Sequence, residues 1–303
     1  DLVSCSDVRE EVMEQVGLRY GVALDKQYTD YREMLEREQP DIVSVATQPE
    51  QRTEIIEEVA ASSARAIYAE KALCASMGEA DRIVEACESN DVILNMGTNR
   101  RWDRGFDTMK EIIDSGQVGA LKSIIHHSTS TLFNGASHSF DIIQRLNSDA
   151  AAVRVQAELS AGAEAIKGEV MGKDPVGHGI IIFENDVIGY ALNSSRGYEV
   201  EAICEGGVMT SLRNGQEWLI RTATDEDDRG RAALEKSVFP EFERKSSTLC
   251  LVEDLVDALD TGEAPRGGVR VAWANMELIF AFVESHMRGG ARVELPLESS
   301  RYR

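Results

Sequence analysis

Glu70 and Lys71 end a short apolar run, Ala66-Ile67-Tyr68-Ala69, set between polar segments of helical character. A run of that length reads as a strand buried on both faces of a parallel sheet. Open α/β sheets bind ligands beyond the carboxyl ends of their strands, so this carboxylate and ammonium would project into the crevice where chemistry occurs. Charges at the lip of a buried strand are costly unless they are paired or used. Taken alone, the two could equally be an ion pair that caps the strand. Asp7 also follows a short strand, where a dinucleotide-binding fold places the acid for the adenosine ribose; such an aspartate can equally cap a helix. His138 opens an apolar helical stretch with Phe140, Ile142 and Ile143. Its imidazole titrates near neutrality and suits a general base, or it is simply a buried or capping histidine.

The elements that must position these residues fall into two rhythms. Up to residue 119, strand and helix alternate: Leu2 to Ser6, a helix from Val8 to Tyr20 closed by Gly21, and a helix from Tyr31 to Arg37 stopped by Pro40. A strand over Asp41 to Ala46 and a helix over Glu50 to Ala61 precede the Glu70–Lys71 strand. Beyond it come a helix from Met77 to Ser89 behind Ser76, a strand from Val92 to Gly97 and a helix from Arg104 to Ser115. Repeated strand–helix units predict a doubly wound (Rossmann) parallel sheet over 1–119. From residue 120 to 303 strands come in a run with Asn and Gly turns, then two amphipathic helices, Ser246 to Leu259 and Val271 to Met287, and a closing strand at Arg292 to Leu295. That order predicts an α+β domain with a mixed, largely antiparallel sheet. Trp218 and Trp273 are expected in the core, and the acidic tract Asp225 to Asp228 in a solvated loop.

Composition narrows the functions. The 303 residues carry a net charge of −21, which excludes partners that demand a basic surface, nucleic acid and anionic membranes among them. Five cysteines without a Cys-x-x-Cys make neither a disulfide framework nor a zinc site, and predict reduced thiols in a cytoplasmic protein. His126 and His127 are neighbours on a strand and point to opposite faces, so they do not share a metal; no metal site is expected. The longest apolar run, Met276 to Val283, is far short of a membrane span and contains Glu277.

No Gly-x-Gly-x-x-Gly occurs in the chain. The economical expectation is that the sequence begins at the second strand of a dinucleotide-binding fold, leaving the sheet incomplete, with an exposed apolar edge and weak dinucleotide binding.

Several segments together carry a resemblance: Asp7 with the helix to Tyr20-Gly21-Val22, Tyr28-Thr29-Asp30-Tyr31, Pro40 to Thr47, Glu70-Lys71, Asn99-Arg100-Arg101-Trp102, Ser115 to Gly119, His138 with Asp141, Glu253 to Leu259 and Val293 to Leu297. In this order the chain resembles the glucose–fructose oxidoreductase/inositol dehydrogenase (Gfo/Idh/MocA) family over essentially its whole length. The resemblance implies an NAD-dependent dehydrogenase, NADP being possible, acting on a sugar, cyclitol or related polyol, and a homo-dimer or homo-tetramer. It implies Lys71, His138 and Asn134 as the catalytic group, with Asp7, Thr47, Gln48, Glu70, Lys71 and Asn99 at the cofactor and Arg101, Asn134 and His138 at the substrate. Departures accompany it. Ala72 stands where the family has proline after Glu-Lys, so a cis peptide is not expected there. Asn134 stands where an aspartate is common, and Arg52 where a histidine is common. A lyase or glycosidase that recycles its bound nicotinamide, and a non-catalytic paralogue, are the alternatives the resemblance leaves open.

Overall fold

The computed structural model describes residues 2–194, 196–226, 229–230, 233–297 and 302. Its first part alternates β1 (Cys5–Ser6), α1 (Glu10–Tyr20), β2 (Gln27–Tyr28), α2 (Tyr31–Glu38), β3 (Ile42–Val45), α3 (Pro49–Ala60), β4 (Ala66–Ala69), α4 (Met77–Ser89), β5 (Ile93–Met96) and α5 (Arg104–Asp114). Local chemistry sets several of these boundaries. Gly21 closes α1 at φ 73°, a left-handed geometry that costs glycine nothing. Asp30, Ser76 and Asp103 each accept a backbone N–H in the first turn of the helix they precede.

The parallel strands form two pieces. β1 pairs with β2, and β3-β4-β5 form a three-stranded sheet with β4 in the middle. Among the described residues no ladder joins β1 to β3. Burial follows: Ala66, Ile67 and Ala69 of central β4 are inaccessible, whereas Ser44 of edge strand β3 is exposed, as are Leu2, Val3, Val8 and Leu18. β1 is two residues long, shorter than the Leu2 to Ser6 run predicts.

The second part holds β6 (Leu121–Ser128), α6 (Ser137–Leu146), β7 (Ala152–Ala161), β8 (Ile166–Lys167), β9 (Val170–Met171), β10 (Val176–Phe183), β11 (Ile188–Asn193), β12 (Glu199–Cys204), β13 (Gly207–Leu212), β14 (Glu217–Ala223), β15 (Leu234–Ser237), α7 (Ser247–Thr261), α8 (Val269–Met287) and β16 (Val293–Glu294). Nine strands make one sheet in the order β15-β14-β13-β12-β6-β11-β10-β7-β16, while β8 and β9 form a small hairpin. Only β6 and β11 run parallel in the large sheet; the other neighbours are antiparallel. This is a Rossmann-type parallel sheet beside a second domain with a mixed, largely antiparallel sheet. α8 lies between the two parts, touching β7 and α6 on one side and α4 and β5 on the other. Enclosure on both sides explains why Met276 and Leu278 to Val283 are all buried, an apolar run read around a helix rather than across a membrane. Among the described residues no helix is long and apolar enough to cross a membrane.

Two expectations change. Trp218 and Trp273 are half-buried rather than core residues. The Trp218 ring meets Phe106 edge-on at 5.0 Å, and Trp273 donates through Nε1 to Asp81 at 2.7 Å, so each keeps its polar end near the surface. The Lys71–Ala72 peptide is cis despite the absence of proline. Buried Arg52 donates there to the Ala72 carbonyl and to the Thr47 carbonyl, tying the turn after β4 to the end of β3. Of the acidic tract, Asp227 and Asp228 lie outside the described residues.

Candidate active site

Lys71 leaves the carboxyl end of β4 and reaches across to the turn that opens α6. Its Nζ donates to the Asn134 carbonyl at 2.8 Å and to Asn134 Oδ1 at 2.7 Å. That turn, Leu132–Ala136, is one wide helical turn continuous with α6. Asp174 holds it in place by accepting the Phe133 and Asn134 N–H groups, each at 3.0 Å. His138 stands one turn further along, in the first turn of α6. Lys71 is therefore brought across 63 residues of sequence to the turn that carries Asn134, with His138 four residues further on.

The His138 ring is mostly enclosed, with Nδ1 buried and without a hydrogen-bond partner among the described residues. Burial, then the charges of Arg100 and Lys71, pull its pKa down to about 3, so the imidazole is neutral at physiological pH. The Arg100 guanidinium lies 3.6 Å over the Tyr198 ring. Tyr198 in turn packs edge-on against His126 at 4.3 Å and donates its hydroxyl to the His138 carbonyl at 3.4 Å. Burial holds the Tyr198 phenol above its ordinary pKa, so it stays a donor. His126 is inaccessible, neither ring nitrogen has a hydrogen-bond partner among the described residues, and burial pushes its pKa well down. His127 points to the other face, toward Ser194 and Arg196.

The remaining expected residues divide. Glu70 accepts from the Tyr68 hydroxyl at 2.7 Å and from the Lys71 N–H at 3.1 Å, so it shapes the turn rather than pairing with the Lys71 ammonium. Thr47 and Gln48 follow β3; Thr47 Oγ1 is enclosed without a partner, and the Gln48 side chain is exposed. Asp7 ends β1 and accepts the Arg9 N–H at 2.9 Å. Asn99 donates to Ser247 Oγ of α7 at 2.8 Å, which ties up its amide. Arg101 is a correction. Expected at the substrate, its side chain is wholly inaccessible and donates to Asp141 and to both oxygens of Asp149, each at 2.8 Å. A buried guanidinium needs such partners, and they hold it away from the cleft. The neighbouring Arg100 faces the site instead, and Tyr198 and Asp174 join it there. The adjacent arginines were visible in sequence, but in the tight turn Asn99–Trp102 nothing local tells which one turns inward. No group of three or more His, Cys, Asp or Glu able to hold a metal exists among the described residues.

Residues 1–98 match a family model described as an oxidoreductase family with an NAD-binding Rossmann fold. The chain is 34% identical over 119 residues to myo-inositol 2-dehydrogenase of Thermotoga maritima, a match covering 39% of this chain and 34% of that protein. The chain thus spans about a third of that curated relative's length. Among solved structures, it superposes on an inositol dehydrogenase homolog of Azotobacter vinelandii, complexed with NADH and myo-inositol, with a TM-score of 0.76 at 14% identity, covering 95% of this chain and 88% of the other. A levoglucosan dehydrogenase complexed with NADH and L-sorbose gives 0.79 at 18% identity, over 97% and 89% of the two chains. Residues 1–98 are thus similar to the Gfo/Idh/MocA oxidoreductase family, and the chain around them has the two-part fold of those solved structures.

Proposed function

We propose that this protein transfers a hydride between a nicotinamide cofactor, NAD or NADP, and a secondary alcohol of a sugar, cyclitol or related polyol. The observation that carries the reading is the meeting of the Lys71 ammonium, held by Asn134 at 2.7 Å, with a neutral His138 on the facing helix. Residues present fit the cofactor in part. Thr47 Oγ1, enclosed and unpartnered at the end of β3, and Asp7 at the end of β1 suit its ribose hydroxyls. Arg9 beside Asp7 leaves a 2′-phosphate acceptable. Gln48 and Glu70 border the same strand ends, whereas the Asn99 amide is already committed to Ser247. The described residues form no glycine cradle for the diphosphate.

When bound, the nicotinamide supplies the hydride acceptor. The chain's own side chains handle the proton and the charge. Lys71 donates to the alcohol oxygen and stabilises the negative charge that develops as the C–H bond breaks. His138 takes the hydroxyl proton; because Nδ1 is enclosed, Nε2 is the atom for it. Asn134 orients the ammonium but has no site for a proton. The five thiols are all free, which supports a reducing, cytoplasmic setting. Self-association would use the outer face of the nine-stranded sheet, where Ile180 is 38% exposed.

The test is incubation of the purified protein with NAD or NADP and a panel of aldoses, cyclitols and aldonates. One free NADH or NADPH per substrate oxidised is the expected result. Substrate conversion without reduced cofactor in solution would instead mark internal recycling, and no reaction across the panel would refute the proposal.

A further inference from the structure

Lys71 and Arg100 are two cations beside one imidazole, and neither meets a carboxylate among the described residues. The Lys71 ammonium bonds only the two neutral oxygens of Asn134. Half-buried Arg100 has the Tyr198 ring beneath it and no ion pair among the described residues. The carboxylates that border the cleft are directed elsewhere: Glu70 to Tyr68 and the Lys71 N–H, Asp174 to the N–H groups of Phe133 and Asn134. One residue further on, Arg101 takes two carboxylates to itself. Partly desolvated cations without a counter-charge cost free energy that a bound anion would recover.

We propose that the substrate is a polyol carrying a carboxylate, and that Arg100 is the residue that recognises it. The reaction rests on the oxidoreductase reading above; the binding preference does not. A guanidinium offers a planar fork of N–H donors that matches a carboxylate bidentately. Stacking on Tyr198 covers one face of that fork and leaves its edge free to donate. The anion also completes the base. With a neutral polyol, His138 stays under the influence of two bare cations, which with burial hold it near 3, a weak proton acceptor. A carboxylate against Arg100 offsets one of them and restores proton affinity to the imidazole.

Calorimetric titration of the protein with matched pairs decides it: D-glucuronate against D-glucose, and D-gluconate against D-glucitol, at low salt. The expected result is binding of the carboxylates about tenfold or more tighter, the scale of one charge-assisted hydrogen-bonded contact. Arg100→Met should remove most of that preference, Arg100→Lys should keep part of it, and Asn134→Asp should weaken it by placing a carboxylate at Lys71. Should Arg100→Met fail to fold by circular dichroism, the wild-type ratio and Asn134→Asp carry the test. Equal affinity within each pair, tighter binding of the neutral member, no binding of either, or a preference unaltered in the Arg100 variants overturns the proposal. Tighter carboxylate binding with no reaction across the panel would leave it standing and sink the oxidoreductase reading; NADH formed from neutral polyols with no gain from a carboxylate would do the reverse.

Discussion

At the scale of single residues, the account makes the proton acceptor and the ammonium separable. Replacing His138 by Asn keeps a polar side chain at the start of α6 and removes the proposed base. The expected loss in kcat is about a hundredfold to ten-thousandfold, the range for one general base, with sugar binding retained; a steady-state comparison checks it. Asn134→Asp offers a different outcome. A carboxylate 2.7 Å from the Lys71 ammonium would pair with it directly and add a negative charge near His138. The imidazole pKa should therefore rise, read as a higher midpoint pH for its ring-proton resonances in an NMR titration. Arg52 acts differently again. Its bonds to the carbonyls of Ala72 and Thr47 fasten the backbone that carries Lys71, so its contribution is to position rather than to react.

At the scale of elements, the Arg101 network joins the turn Asn99–Trp102 to α6 and to the loop after it. Arg101 donates to Asp141, one turn past His138, and to Asp149, as well as to the Arg266 carbonyl at 3.2 Å. Arg101→Met would leave Asp141 buried without its partner, and should cost about 3–5 kcal/mol in urea denaturation, the range for breaking one side of a buried pair. Loss of the Ser76 cap, by Ser76→Ala, should cost about 1 kcal/mol in the same assay. Much of this scale was legible in sequence. Caps and stops delimit α4 from Met77 to Ser89 as expected, and the strand-end location of Lys71 followed from the apolar run before it. What was not legible depends on tertiary packing. The choice between Arg100 and Arg101, the hydrogen bond from Tyr198 to the His138 carbonyl, and the capture of Asn99 by Ser247 all arise from residues about 40 to 150 positions away. The wide turn Leu132–Ala136 has no sequence signal of its own; it is held by Asp174, which comes from a separate loop.

At the scale of the whole molecule, burial of neutral histidines sets the response to acid. The folded His138 has a pKa of about 3, against an ordinary 6.5, and burial shifts His126 and His127 in the same direction. Below pH 6.5 the unfolded chain takes up protons that the folded chain refuses, so stability present above that pH is lost as it falls toward 3. Asp141 opposes this: burial raises it to about 6, so the folded form holds a proton between 6 and 3.8 that the unfolded form has released. Burial raises the Glu277 carboxyl in the same sense as Asp141; with three histidines against these two carboxyls, the urea midpoint should fall from pH 7 to pH 5, and fall less in His138→Asn. Across the same molecule, the cleft joins a parallel sheet to a mixed one, and the claim that this cleft is a redox centre rests on the ammonium at the end of β4. The direct measurement is NADH formation by wild type and Lys71→Met, with folding followed by circular dichroism and cofactor binding by fluorescence. The account predicts a fall in kcat of about a thousandfold or more, with fold and cofactor affinity preserved. Turnover that survives the loss of the ammonium would contradict it.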